Sequence, residues 1–160
     1  LLAELLADYQ GDLGLEIIAI NGEDYYAASG EMHYLRTQSD TFPQILLAVN
    51  MDGAGYHKTD TAYSLYNPPE EVAQAVRQTF ASRQGMVEGD PWYQSDHSLF
   101  VQNQVPALAI TSQFFMQEAA LDITHTPKDH PRIVDPSKLI QIASTLHDLH
   151  LRLNKLSPKT

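Results

Sequence analysis

The sequence predicts an α/β fold, with a mainly parallel central sheet and helices on both faces. Two observations carry this. Residues 15–20, 45–49 and 105–110 are short, nearly continuous apolar runs rich in β-branched or aliphatic residues, the composition of strands covered on both sides. The segments between and around them carry apolar residues at helical spacing, so strands alternate with helices and right-handed crossovers connect them.

The elements follow in order. Leu1, Leu2, Leu5, Leu6 and Tyr9 recur at helical spacing, and Gly11 and Gly14 bracket the turn that ends this helix. Residues 15–20 predict a buried parallel strand. A helix follows over about 25–37, with Ala27, Ala28, Met32 and Leu35 on one face and a mild interruption at Gly30. The run 45–49 is the next strand, ended by the glycines of Asn50-Met51-Asp52-Gly53-Ala54-Gly55. Pro68 and Pro69 open a helix to about Ser82, where proline's missing donor costs nothing. Residues 83–93 are polar, with a weaker strand signal at 85–88. Ser95-Asp96-His97 caps a short helix to about Asn103. Residues 105–110 form a strand, 113–132 are irregular, and Asp135-Pro136-Ser137 starts a last helix with a broad apolar face from Leu139 to Leu153. The 160 residues read as a single domain, and the apolar helical pattern already under way at Leu1 reads as part of a longer chain.

Charge narrows the partners. There are 20 acidic against 10 basic residues, a formal net charge of -10, and no Lys/Arg cluster offsets it locally, so nucleic acid is not an expected partner. No stretch approaches the roughly 18 apolar residues of a membrane span, so no membrane partner is expected either. With no Cys, a thiol nucleophile, a disulfide scaffold and a Cys-ligated zinc site are excluded.

In open α/β sheets ligands bind at the carboxyl ends of the strands. The polar residues there are Glu23 and Asp24 after the first predicted strand, Asp52 after the second, and His125 in the irregular stretch after the third. Carboxylates and a neutral imidazole suit zinc, and one of two adjacent carboxylates can bind metal while the other takes a proton. Each residue also has an ordinary reading taken singly: Asp24 as a helix cap, Glu23 as a solvated loop residue, Asp52 and His125 as turn and loop residues. Ser95-Asp96-His97 is not read as a triad, because such neighbours do not supply nucleophile, base and orienter in one geometry, and no Gly-x-Ser-x-Gly elbow is present.

Taken in order, Gly22-Glu23-Asp24, Asn50-Met51-Asp52, Ser95-Asp96-His97-Ser98-Leu99-Phe100, Val105-Pro106-Ala107 and His125-Thr126-Pro127-Lys128-Asp129 resemble the zinc aminopeptidase family. That family includes bacterial leucyl aminopeptidases and, more distantly, glutamate carboxypeptidase and glutaminyl cyclase. The resemblance spans about residues 15–153. It implies a peptide substrate, removal of N-terminal residues, and two zinc ions in the complete enzyme. By the same resemblance Glu23 is the general base, Asp24 and His125 are ligands of one zinc, Asp52 is a ligand of the other, and Asp96 and His97 lie near the substrate rim. It weakly favours a secreted or periplasmic setting.

The departures also have consequences. The family's His-x-Asp motif and bridging Asp lie upstream of the first helix here, leaving three of five ligands and an expectation of no zinc or one. The sheet would lack its upstream strands, which predicts an exposed edge able to self-associate and an inactive fragment. Asp24 stands where the family usually has Glu, and Tyr25-Tyr26 departs from its pattern. A non-catalytic protein-binding domain and a single-zinc glutaminyl cyclase-like enzyme are the alternative readings.

Overall fold

The computed structural model describes residues 1–22, 28–113 and 122–156. Among them, helices α1 (Leu2–Leu5), α2 (Ser29–Gln38), α3 (Glu70–Ala81), α4 (His97–Gln102) and α5 (Pro136–Asn154) surround strands β1 (Ala48–Met51), β2 (Thr61–Tyr66), β3 (Met86–Glu88) and β4 (Ala107–Ser112). The strands lie in the order β1-β4-β2-β3. β1 runs parallel to β4, with Ala48 opposite Ala107 and Met51 opposite Ile110. β2 runs parallel to β3 and antiparallel to β4. Two of three pairings are thus parallel, and the middle one is not.

β4 organises the core because its alternation serves both faces. Leu108 and Ile110 point into one cluster with Val72, Val76 and Phe80 of α3 and Ile142, Leu146 and Leu149 of α5. Ala107 and Ala109 point into the other, with Tyr34, Phe42, Trp92, Leu99 and Phe100. Every one of these four β4 side chains is 0% exposed, as expected for a strand covered by helices on both sides.

Helix ends follow local chemistry. Glu70 and Glu71 occupy the first turn of α3, where negative charge is favoured by the helix dipole. Asp135 caps α5, accepting from Ser137 N at 2.9 Å and Ser137 Oγ at 2.7 Å, with Pro136 at the first helical position. The Ser137 bonds hold the Asp135 carboxyl below the usual carboxylate range. Asn154 at the other end of α5 accepts from Asp12 N at 2.9 Å and Leu13 N at 3.0 Å, tying the first segment to the last helix.

Residues 15–20 do not form the expected strand. Leu15, Ile17 and Ile18 are exposed, and they line an open trough of about 890 Å³ together with Val49 and Met51. A strand needs a paired edge as well as apolar side chains, and composition reports only the second requirement. The adjacent edge exists: Ala48 N donates to Pro106 O and Asp52 N to Ile110 O, so the backbone groups of Val49 and Met51 face away from β4. The opposite edge, β3, carries Glu88, which accepts from Arg77 Nε at 2.9 Å. Charge guards that edge, whereas among the described residues no strand pairs with the outer side of β1.

Gly30 also differs from its expected role as a helix interruption. It lies in the first turn of α2 and donates to Asn21 O at 3.1 Å. A Cβ there would stand 2.3 Å from that oxygen, so the close approach requires glycine.

Two buried imidazoles make stability pH-dependent. Burial pushes His97 and His150 below the ordinary value of 6.5, and for His150 the neighbouring His147 adds to the effect. His150 packs edge-on to Tyr9 at 4.5 Å between centroids. A lowered folded pKa means that protonation favours the unfolded chain, so this stability is complete above about pH 6.5 and is lost as pH falls through the folded values. The urea midpoint should decrease between about pH 7.5 and pH 5, above the carboxylate range; equal midpoints would contradict the assignment.

Candidate active site

Asp52 sits immediately after β1, at the carboxyl end of that strand and of its parallel neighbour β4. The loop after it is firmly held. Ser112 Oγ donates to Gly53 O at 2.7 Å and accepts from Tyr56 N at 2.9 Å. Asp135 N donates to Gly55 O at 2.8 Å, and Lys138 Nζ donates to Tyr56 O at 2.8 Å and to Thr59 O. Gly55 has φ +87, and a Cβ on it would meet Leu139 Cδ2 at 2.9 Å, so the tight seat against α5 and the left-handed backbone both call for glycine.

The Asp52 carboxylate is exposed on one side and anchored on the other. Ser95 Oγ donates to its Oδ2 at 2.9 Å. Asn50 Nδ2 donates to Ser95 Oγ at 2.8 Å and lies 3.3 Å from His97 Nδ1. His97 Nε2 lies 2.7 Å from Trp92 O, and that carbonyl can only accept, so Nε2 carries the proton and Nδ1 is the acceptor for Asn50. Tyr66 closes the group: its hydroxyl donates to Trp92 O at 2.5 Å and accepts from Trp92 N at 2.7 Å. The His97 ring packs against Tyr66 and Trp92, each 4.8 Å between centroids.

The remaining predicted residues are distributed as follows. His97, expected near a rim, lies inside and is 0% exposed. Asp96 is half-buried at the start of α4, and its Oδ1 is buried with no hydrogen-bond partner among the described residues. His125 is exposed in a series of turns and has φ 61, a left-handed conformation uncommon outside glycine. Thr126 N and Oγ1 both donate to Ile123 O, at 3.1 and 2.7 Å, fixing the turn around it. Glu23 and Asp24 lie outside the described residues.

The donor types suit zinc: an acceptor-only carboxylate at a strand end and an imidazole. Among the described residues, however, no group of three or more His, Asp or Glu is placed to hold a metal ion.

The Asn50–Ser95–Asp52 connection is the feature that sequence reasoning missed. Ser95 lies 43 positions from Asp52 and 45 from Asn50. The available signal was that Asn50-Met51-Asp52 ends a strand while Ser95-Asp96-His97 starts a helix, two places where polar side chains gather at one sheet edge.

Compared with known proteins, the chain matches the model of Peptidase family M28 over residues 1–150. By structure it is similar to BSAP, a zinc aminopeptidase from Bacillus subtilis, in two determinations. One has a TM-score of 0.72 and 18% identity, covering 94% of this chain and 38% of BSAP. The other has a TM-score of 0.73 and 16% identity, covering 99% and 40%. An aminopeptidase from Aneurinibacillus sp. strain AM-1 follows, with a TM-score of 0.58 and 16% identity over 80% of this chain and 30% of that one. The chain thus spans about two fifths or less of the length of these structures. No curated protein matches it by sequence.

Proposed function

Starting from a chain that belongs to Peptidase family M28, we propose that it supplies the Asp52 and His125 portion of a zinc-dependent aminopeptidase, which removes N-terminal residues from peptides. The observation that carries this is Asp52 itself. It stands at a strand end of a fold shared with zinc aminopeptidases, with Oδ2 held by Ser95 and its other face open.

In this reading Asp52, Asp24 and His125 hold metal, two zinc ions in the complete enzyme and at most one here. Bound zinc would supply Lewis acidity toward the scissile carbonyl. Glu23 takes the proton of the attacking water and returns it to the leaving amine. Ser95 keeps the Asp52 carboxylate from rotating, and the pinned 53–60 loop keeps its backbone in place. The isolated chain is inactive because its carboxylates lack the remaining ligands that would hold both cations.

The departures at Asp24 and Tyr25-Tyr26 support a second reading, a non-catalytic domain that keeps the peptidase fold for protein binding. Among the described residues no helix is long and apolar enough to cross a membrane. A secreted or periplasmic setting is part of the proposal on resemblance alone.

Zinc per chain, measured after dialysis against trace metal, tests the assignment. At most one ion should be retained, and any retained zinc should be lost in at least one of Asp52→Ala and His125→Ala. Stoichiometric zinc surviving both substitutions would remove these residues from the site.

A further inference from the structure

Of the Ser95-Asp96-His97 motif the proposed function uses only Ser95, yet the imidazole of His97 is among the most enclosed polar groups in the described residues. We infer that His97 is a positioning residue: by fixing the direction of a hydrogen-bond chain through Asn50 and Ser95, it sets which way the Asp52 carboxylate is held.

The direction follows from donor and acceptor capacity. Trp92 O can only accept, and it lies 2.7 Å from His97 Nε2, so that nitrogen bears the hydrogen and Nδ1 presents a lone pair. The lone pair orients Asn50 with its NH₂ inward, one hydrogen toward His97 at 3.3 Å and the other to Ser95 Oγ at 2.8 Å. Ser95 then receives a hydrogen from Asn50, and its own is directed to Asp52 Oδ2 at 2.9 Å. Reversing any one member would turn the serine hydroxyl away from Asp52.

The surroundings keep the chain from reversing. His97 is 0% and Ser95 7% exposed, so water has little access to either. Burial disfavours the charged imidazole, whose Nδ1–H would oppose the Asn50 amide. Tyr66 holds both the carbonyl and the amide of Trp92, fixing the acceptor at the inner end. The link to catalysis rests on the reading of Asp52 as a metal ligand; the orientation of Asp52 does not.

The test therefore uses the metal-free, isotope-labelled 160-residue chain and reads two NMR signatures. These are the Asp52 carboxyl carbon shift and the solvent exchange of the Asn50 side-chain amide. In His97→Leu, Asn50 exchange should accelerate at least about tenfold, the loss of roughly one hydrogen bond's protection, and the Asp52 signal should move toward that of Ser95→Ala. His97→Gln can accept from Asn50 and donate to Trp92 O, so it should keep both signatures near wild type. Unchanged Asp52 and Asn50 signals in folded His97→Leu would overturn the inference. So would equal disturbance by Gln and Leu, which would assign the effect to ring packing. Should His97→Leu fail to fold, Asn50→Asp serves: an acceptor at position 50 draws the Ser95 hydroxyl away, and a wild-type Asp52 signal there would refute the chain. Zinc binding does not enter these readouts, so the aminopeptidase reading can fail while the relay stands, and the reverse.

Discussion

Peptide hydrolysis by the complete enzyme should fall about 10²–10⁴-fold when Glu23 is replaced by Gln, with zinc content unchanged. Gln is nearly isosteric with Glu, but it cannot take a proton from water near neutral pH. In the proposed scheme the same carboxylate acts twice, as base toward the attacking water and then as acid toward the leaving amine, so one substitution removes both transfers. Metal content separates this from a structural fault, because Glu23 is not among the proposed ligands. Turnover within about threefold of wild type would exclude Glu23 from proton transfer, since a general base contributes at least 10²-fold. Loss of zinc along with activity would instead make it a ligand.

Phe80→Ala should destabilise the fold by about 3–5 kcal/mol, the range for emptying a large aromatic from a core. Phe80 is 0% exposed and lies 4.4 Å from the Tyr63 ring, between α3 and the sheet face that carries Leu108 and Ile110. Its neighbours belong to α3, α5, β2 and β4, and no single side chain among them can collapse into the space. Against a typical total of about 5–15 kcal/mol, such a loss leaves a marginal fold. Urea unfolding measures it, with Val49→Ala as the control: Val49 is 42% exposed on the free edge of the sheet, and its truncation should cost about 0.5 kcal/mol or less. Equal effects at the two positions would mean that the β4 layer is not the stabilising core.

What the sequence revealed about the fold depended on how directly side chains report burial. The helix Glu70–Ala81 was legible from its prolines and apolar spacing, and Pro136–Asn154 from its Asp-Pro-Ser start. β4 was legible because its apolar run is buried on both faces. β2 was not. Its sequence Thr-Ala-Tyr-Ser-Leu-Tyr looks half polar, yet Thr61, Ala62, Tyr63, Ser64 and Tyr66 are all buried. Ser64 Oγ satisfies itself internally, donating toward Gly89 O at 3.2 Å and Asp90 O at 2.9 Å, so a buried strand carries a hydroxyl where the pattern calls for an aliphatic. Residues 15–20 are the converse case, apolar and β-branched but unpaired.

The site shows the same division. The position of Asp52 at a strand end was legible because the apolar run 45–49 stops just before it. Its partnership with Ser95 was not, because it depends on α4 packing beside β1 and β4, a relation no spacing along the chain encodes. The internal place of His97 was equally hidden: the resemblance put it near a rim, and only the packed rings of Tyr66 and Trp92 explain why it is enclosed.

The clasp between Asn154 and the backbone of Asp12 and Leu13 spans up to 142 positions, and this orders events during synthesis. At about 5–20 residues per second, Asp12 is made on the order of 10 s before its acceptor exists. Throughout that interval Leu2 and Leu13, which pack beside the α5 cluster in the finished protein, have no surface to rest on. This segment is therefore made well before it can settle, and its apolar residues depend on shielding until α5 has been synthesised.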